Sequence, residues 1–347
     1  MSDSPNARFG VLDPEYAEAF AKLPQMPTPE GIEASRKFAE FYTDMIRKAQ
    51  AEHLPDASTY KVEDHSVAVD NGSIRVKVIT PTSGEGPYPA LYYTHGGGFA
   101  VGSPELNEFA LTAIAVELGI IIASVDYRLA PEYPHPIPHN DSLAGLKWLV
   151  TNASILEIDI SKGLVVAGDS AGANITATVT HLIRDDPFFQ GRQPTGQILQ
   201  IPTSCDPRGQ PAEYKHELKS LPLAENAHMS GLPAEAAFTM HAQYYQNDPT
   251  EPTASPLLFS SHANVPPALL QVAGLDIFRD EGILYAKLLK QAGVDTELIV
   301  YPGVPHGFFL AFDKLTASKK FQVDFRQGLR KFMPGARNYS ILWGPHT

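Results

Sequence analysis

Gly168-Asp169-Ser170-Ala171-Gly172 follows the short apolar run Gly163–Ala167 and opens a segment of helical periodicity, Ala171–Arg184. This is a Gly-x-Ser-x-Gly pattern in the strand–turn–helix setting that a serine nucleophile requires. The sharp turn strains the serine backbone so that its hydroxyl projects freely. Glycines two residues before and after let strand and helix approach closely. The helix N-terminus adds positive potential and free N–H groups beside Ser170. Alone, the pentapeptide reads equally well as a βα loop with an N-capping serine. His95-Gly96-Gly97-Gly98 follows a second apolar run, Ala90–Thr94. Consecutive glycines can turn their amides toward one point and stabilise an oxyanion on an attacked carbonyl. Two other readings stay open: a flexible loop, and a dinucleotide fingerprint built on Gly96, Gly98 and Gly102. Pro104 interrupts that fingerprint, and the only acidic residue near the end of the next strand is Asp126.

A nucleophilic serine needs a base, and the base an orienting carboxylate. With the serine at a strand-to-helix elbow, carboxylate and histidine follow it in the chain, each after a strand. Asp276 follows Ala268–Val272 after a break at Gly274, and His306 follows Glu297–Tyr301 within Pro302-Gly303-Val304-Pro305-His306-Gly307-Phe308. Singly, His306 reads as a surface loop histidine and Asp276 as an N-cap for the helix at Asp280. Their order beside the elbow and the glycine run argues against coincidence. Asp280 and Glu281 read as helix-start acids favoured by the dipole. Asp126, Arg128 and Glu132 read as a structural charge network, and Asp169 as scaffolding. His216-Glu217 resembles the start of a zinc helix, but Ser220 stands where the second histidine belongs. His216, His228 and His241 are expected to face solvent.

The elements that must hold these groups alternate along the chain. Strands are expected at Ile74–Thr80, Ala90–Thr94, Ile120–Val125, Gly163–Ala167, Gln197–Ile201, Ala268–Val272 and Glu297–Tyr301. Helices are expected at Pro104–Glu117, Asn140–Thr151, Ala171–Arg184, Asp280–Gln291 and about Ser318–Phe332. Strand then helix, repeated, gives an α/β fold with a mostly parallel sheet covered on both faces. Two regions break the alternation. Residues 1 to about 60 are amphipathic, helical and strandless. Residues 206 to 252 carry no convincing strand, with a helix expected near Ala234–Tyr245. An insertion of that length usually has a function, such as an active-site lid.

Composition narrows the function classes. The chain's 347 residues carry 27 Lys+Arg against 39 Asp+Glu, a net charge of −12 without blocks of like charge, which argues against nucleic acid or anionic membrane as a partner. One cysteine, Cys205, excludes an internal disulfide framework and a Cys-rich metal cluster. Ala110–Val125, the most apolar stretch, is broken by Glu117 and Gly119 and is too short to span a bilayer. The polar start Met1-Ser2-Asp3-Ser4-Pro5 lacks the pattern of a signal peptide, so a cytoplasmic protein is expected.

The whole set resembles the hormone-sensitive-lipase-like family of α/β-hydrolase carboxylesterases. The matching residues are His95-Gly96-Gly97-Gly98-Phe99, Val125-Asp126-Tyr127-Arg128-Leu129-Ala130-Pro131-Glu132, Gly168-Asp169-Ser170-Ala171-Gly172-Ala173-Asn174, Ala254-Ser255-Pro256-Leu257, Asp276 with Arg279-Asp280-Glu281-Gly282, and Tyr301-Pro302-Gly303 with His306-Gly307-Phe308. They run in family order from about residue 90 to 310. The resemblance implies an α/β-hydrolase fold in which Ser170 is the nucleophile, His306 the base and Asp276 its orienter. The amides of Gly97, Gly98 and Ala171 become the oxyanion donors. It also implies a cap built from residues 1–60 and 206–252 over a catalytic domain formed by 61–205 and 253–347. Phe99 and Val101 become candidates to line the acyl pocket. Ile277 stands where the family usually has proline, and Ala173 replaces a common glycine. The implied activity is hydrolysis of small or short-acyl esters through an acyl-enzyme, without metal or cofactor, on a small-molecule substrate. A homodimer is compatible with the resemblance. Two alternatives share the fold: acyl transfer or a lyase or cyclase step in specialised metabolism, and small-molecule binding of the gibberellin-receptor kind. Those receptors lack the catalytic histidine, whereas His306 is present here.

Overall fold

A computed structural model describes residues 5–23, 29–221, 239–242, 244 and 248–337. Its centre is an eight-stranded sheet in the order β1-β2-β4-β3-β5-β6-β7-β8. The strands are β1 (Tyr60–Val69), β2 (Gly72–Pro81), β3 (Ala90–Thr94), β4 (Ile121–Asp126), β5 (Leu164–Asp169), β6 (Gly196–Gln200), β7 (Ala268–Ala273) and β8 (Thr296–Tyr301). The pairs β1–β2 and β2–β4 are antiparallel, and all other neighbours are parallel. The sheet is therefore mostly parallel, as the alternation of elements implies.

The central strands are buried on both faces, which explains their nearly continuous apolar sequences. Along β3, Ala90 and Tyr92 enter one core while Leu91 and Tyr93 enter the other. The first core packs under α4 (Ile137–Thr151) and α5 (Ala171–Arg184) through Leu146, Leu149, Ile175 and Val179. The second packs under α3 (Glu108–Leu118) and α7 (Thr316–Phe332) through Leu111, Ile114, Phe325 and Leu329. Between β7 and β8 runs α6 (Arg279–Gln291), which shares a third cluster with α5 through Leu284, Leu289, Ala173 and Ala177.

The expected elements lie within or close to these spans. Most boundaries move by a little, and the clearest shifts are that the helix expected from Pro104 begins as a 3-10 turn and becomes α3 at Glu108, α4 begins at Ile137, β2 begins at Gly72, and β5 runs on to Asp169. Strand β1 has no counterpart among the expected strands. It is an edge strand, and Lys61, Glu63 and Asp64 leave it too polar to show an apolar pattern.

Ahead of β1, the N-terminal region supplies α1 (Pro14–Phe20) and α2 (Ile32–Gln50), with no strand among its described residues. Asp13 caps α1 by accepting from the N–H groups of Glu15 and Tyr16. The 206–252 region supplies 3-10 turns at Pro207–Gly209 and Ala212–Tyr214 and helical residues at 239–242 and 244; the rest of the helix expected at Ala234–Tyr245 lies outside the described residues, as does His228. No described helix is long and apolar enough to cross a membrane.

Candidate active site

Every group singled out by the sequence as nucleophile, base or orienter leaves the carboxyl end of a parallel strand. Ser170 links β5 directly to α5 with φ of +54°, a left-handed conformation that a serine adopts only under constraint. Its N–H donates to Gln200 O at 2.8 Å on the neighbouring strand, and its carbonyl accepts from Asn174 N at 3.1 Å in the first turn of α5. A Cβ on Gly172 would collide with the carbonyl of Thr94, so the helix sits against β3 only because that position is bare.

The base arrives from the loop after β8. His306 Nε2 lies 2.8 Å from Ser170 Oγ, and its Nδ1 lies 2.7 Å from Asp276 Oδ2. Asp276 is fully buried, and its other oxygen accepts from Phe278 N at 2.9 Å. A carboxylate can only accept, so Nδ1 carries the imidazole proton and Nε2 is left bare to accept the serine proton. The loops after β7 and β8 are laced together: Gly274 N donates to Tyr301 O at 2.7 Å and Leu275 N to Val304 O at 2.9 Å. The N-terminal segment ahead of α1 braces the base loop, with Gly303 N donating to Phe9 O and Asp13 N to Gly303 O. The ring of Phe278 stands edge-on to His306 at 5.6 Å.

Opposite lies the glycine run after β3. Gly97, Gly98 and Phe99 all have positive φ, at +126°, +57° and +65°. A side chain on Gly97 would strike the carbonyl of Val101, which folds back over it. Among the described residues, none accepts a hydrogen bond from the amides of Gly97 or Gly98, and Ala171 is the first residue of α5, ahead of the intrahelical ladder. The loop is held from below by Asp169. Its Oδ1 accepts from Gly96 N at 3.0 Å, Tyr93 Oη at 2.8 Å and Asn107 Nδ2 at 3.2 Å. Burial pushes the Asp169 carboxyl above its ordinary value, and the bond from Tyr93 offsets only part of that rise. His95 stacks on Tyr127 at 4.3 Å, while the Tyr127 hydroxyl donates to the His95 carbonyl at 2.8 Å.

The remaining expectations divide. Asp169 holds backbone and other side chains, a scaffolding arrangement. Asp126, Arg128 and Glu132 do not form one network: Asp126 pairs with Arg75, Arg128 with Asp141 and Glu132 with Arg36, because each points to a different neighbouring element. Asp280 and Glu281 do start a helix, but both are buried. Asp280 accepts from Arg279 and from Lys219 N, and Glu281 from Ser204 N. His216 faces solvent, whereas His241 is buried, with Nε2 3.2 Å from Thr203 Oγ1 and its ring against Phe99 and Phe278. The expectation of an exposed His241 fails because its ring is enclosed by Phe99 and Phe278 and its polar edge meets Thr203. Phe99 is buried with its ring stacked on Tyr244, and Val101 is half-buried at the end of the loop.

Four residues with a part in the site carried no signal of their own: Arg36, His139, Met240 and Tyr244. Arg36 of α2 donates to Ala100 O at 3.1 Å and Ala130 O at 3.0 Å and pairs with Glu132. Met240 touches Gly98 so closely that a Cβ there would strike its thioether.

Residues 91–310 match the family model described as the alpha/beta hydrolase fold. The solved structure of a vibralactone cyclase superposes with a TM-score of 0.91 at 37% identity, covering 94% of this chain and 96% of that one. Carboxylesterase NlhH of Mycobacterium tuberculosis is 34% identical over 75% of this chain and 78% of its own. An ethyl acetate hydrolase of Pseudomonas putida is 30% identical over 89% of this chain and 92% of its own.

Proposed function

The chain belongs to the hormone-sensitive-lipase-like family of α/β-hydrolase carboxylesterases, and we propose that it performs carboxylic ester hydrolysis through Ser170, His306 and Asp276 on small or short-acyl esters. The observation that carries the reading is the unbroken path from Ser170 Oγ through the imidazole of His306 to the buried Asp276 carboxylate. His306 Nε2 takes the serine proton as Oγ attacks the ester carbonyl, and Asp276 stabilises the imidazolium. The amides of Gly97, Gly98 and Ala171 receive the oxyanion. The imidazolium returns its proton to the departing alcohol, leaving an acyl-serine. Water, deprotonated by the same imidazole, then attacks that acyl group and releases the acid. Residues 1–60 and 206–252 act as the cap that encloses the substrate.

The test is Ser170→Ala assayed with p-nitrophenyl acetate and butyrate. Turnover should fall at least ~10⁴-fold while the fold is kept, and a fluorophosphonate probe should label the wild type alone. A variant that hydrolyses at the wild-type rate overturns the mechanism.

The likeness to a vibralactone cyclase favours a second reading, in which the acyl group passes to an alcohol or to a nucleophile within its own chain instead of to water. Mass spectrometry of products formed with and without added alcohols separates the two. Free acid as the sole product rejects the second reading.

A further inference from the structure

Tyr244 belongs to the 206–252 region, yet it is fully buried within the first core of the sheet domain. Its ring lies parallel to that of Phe99 at 3.8 Å, with an interplanar angle of 2°. Phe99 directly follows Gly97 and Gly98 and has a left-handed backbone, which a bulky residue keeps only where its surroundings over-determine it. The tyrosine is itself fixed at two further points. His135 N donates to its carbonyl at 3.2 Å, and its hydroxyl meets His139 Nδ1 at 2.8 Å.

The direction of that second bond can be worked out. Asn174 Nδ2 donates to Ala254 O at 3.0 Å, so its Oδ1 faces His139 Nε2 at 3.2 Å as an acceptor. His139 therefore carries its proton on Nε2, leaves Nδ1 bare, and accepts from the Tyr244 hydroxyl. Burial holds this imidazole neutral by pushing it down to about 3. The chain Tyr244–His139–Asn174 thus ends on α5 one turn after Ser170, while the tyrosine ring ends on the loop opposite. Next to it, Met240 covers Gly98 and His241 wedges between Phe99 and Phe278.

We propose that Tyr244 is a positioning residue that couples seating of the cap to the alignment of the Gly97–Gly98 amides, by clamping Phe99 from above and tying itself through His139 and Asn174 to the nucleophile helix. The inference rests on the reading of Ser170 as nucleophile and of these amides as oxyanion donors. With Tyr244 stacked on Phe99 the donors are aligned; when Tyr244 is lost, Phe99 is free to relax out of its left-handed conformation and the amides swing off the oxyanion.

The test compares wild type, Tyr244→Phe, Tyr244→Leu, Phe99→Leu and the double variant Tyr244→Leu/Phe99→Leu. Active enzyme is counted in each by fluorophosphonate titration. With p-nitrophenyl butyrate, Tyr244→Leu should lower kcat about 30-fold with KM changed less than about 3-fold, because small misplacements of donors act on the transition state. The Ki of an alkyl trifluoromethyl ketone, whose serine adduct bears the oxyanion, should rise by the same factor. Tyr244→Phe keeps the stack and loses only the hydroxyl, so its loss should be about 3-fold. The double variant should be no worse than the more severe single, since both act through one contact. A kcat within twofold of wild type in Tyr244→Leu, a Ki that does not follow kcat, or fully additive losses would each overturn the proposal. If Tyr244→Leu does not fold, Tyr244→Phe and Phe99→Leu decide by the same two readouts. An active Ser170→Ala would instead overturn the underlying mechanism, so the two failures are distinguishable.

Discussion

On the floor of the site, Ser170, Asp276 and His306 are held by backbone: each leaves a parallel strand, and the loops after β7 and β8 are joined by main-chain hydrogen bonds. The proposed cap meets this floor differently, through single side chains and isolated bonds. Arg36 reaches the carbonyls of Ala100 and Ala130, Ser220 Oγ donates to Ile277 O at 2.7 Å, Lys219 N donates to Asp280, and Tyr244 stacks on Phe99. The difference separates two kinds of substitution. Changes on the floor remove chemical groups from a scaffold that stays in place. Changes in the cap shift how well the site is closed, and each seam contact matters individually because, among the described residues, the main-chain bonds beside it are isolated ones such as Gly303 N to Phe9 O and His135 N to Tyr244 O.

The largest effect that would sharpen this contrast belongs to Asp276→Asn. The amide keeps the carboxylate's shape, but its NH₂ cannot accept from His306 Nδ1, so the imidazole is driven to the wrong tautomer or has to flip the amide. We expect kcat to fall roughly 10³–10⁴-fold with KM nearly unchanged and a far-ultraviolet spectrum like the wild type's. A loss below tenfold would show that the floor does not depend on this carboxylate.

Asp169→Asn comes next and tests whether the glycine loop belongs to the floor. Three donors converge on Asp169 Oδ1, and one of them is Gly96 N, immediately before the amides proposed to hold the oxyanion. An asparagine oxygen can still accept, but its NH₂ adds a buried donor. The expected loss is about 10–10²-fold in kcat, together with about 1–3 kcal/mol of stability, read from turnover and urea melts on the same preparation. Full activity in a destabilised variant would mean that the loop is positioned from the cap side alone.

The same contrast explains what the sequence reveals. The floor is legible because its devices are local: the elbow pentapeptide, the glycine run, and strands apolar on both faces announce themselves within a few residues of one another. Strand β1 escapes because its exposed edge position lets it be polar. Arg36, His139 and Tyr244 escape for another reason. Arg36 meets Ala100 64 positions away, and Tyr244 meets His139 105 positions away, through side chains whose types fit many other settings equally well. His241 misleads in the same manner, since a histidine in a polar insertion reads as exposed until Thr203, Phe99 and Phe278 are found around it. Periodicity reports which face of an element is buried, and says nothing about which distant group will meet a single polar atom.

Acid should separate seam from floor by the smallest of these effects. Two imidazoles are kept neutral by burial and pushed down to about 3: His139 under the seam, and His181 on the flank of α5, where it stacks on Phe259. Their folded values lie below the ordinary unfolded value of about 6.5. Above that value neither state binds the proton, and their contribution to stability is complete. As pH falls from about 6.5 toward 3 the unfolded chain takes up protons that the folded chain refuses, so stability is lost. At pH 5 each histidine accounts for about 2 kcal/mol. Urea melts at pH 7 and pH 5 should therefore show His181→Gln losing about 2 kcal/mol less than wild type over this interval. His139→Gln should lose less by a similar amount if the seam unfolds together with the sheet. If the seam opens locally before the sheet does, the His139→Gln melt at pH 5 should match wild type while wild-type kcat falls by a larger factor than that of the variant, because protonated His139 can no longer accept from Tyr244. Equal pH sensitivity of wild type and both variants would show that neither imidazole is held neutral, and the distinction between a backbone-built floor and a side-chain-built seam would lose its electrostatic support.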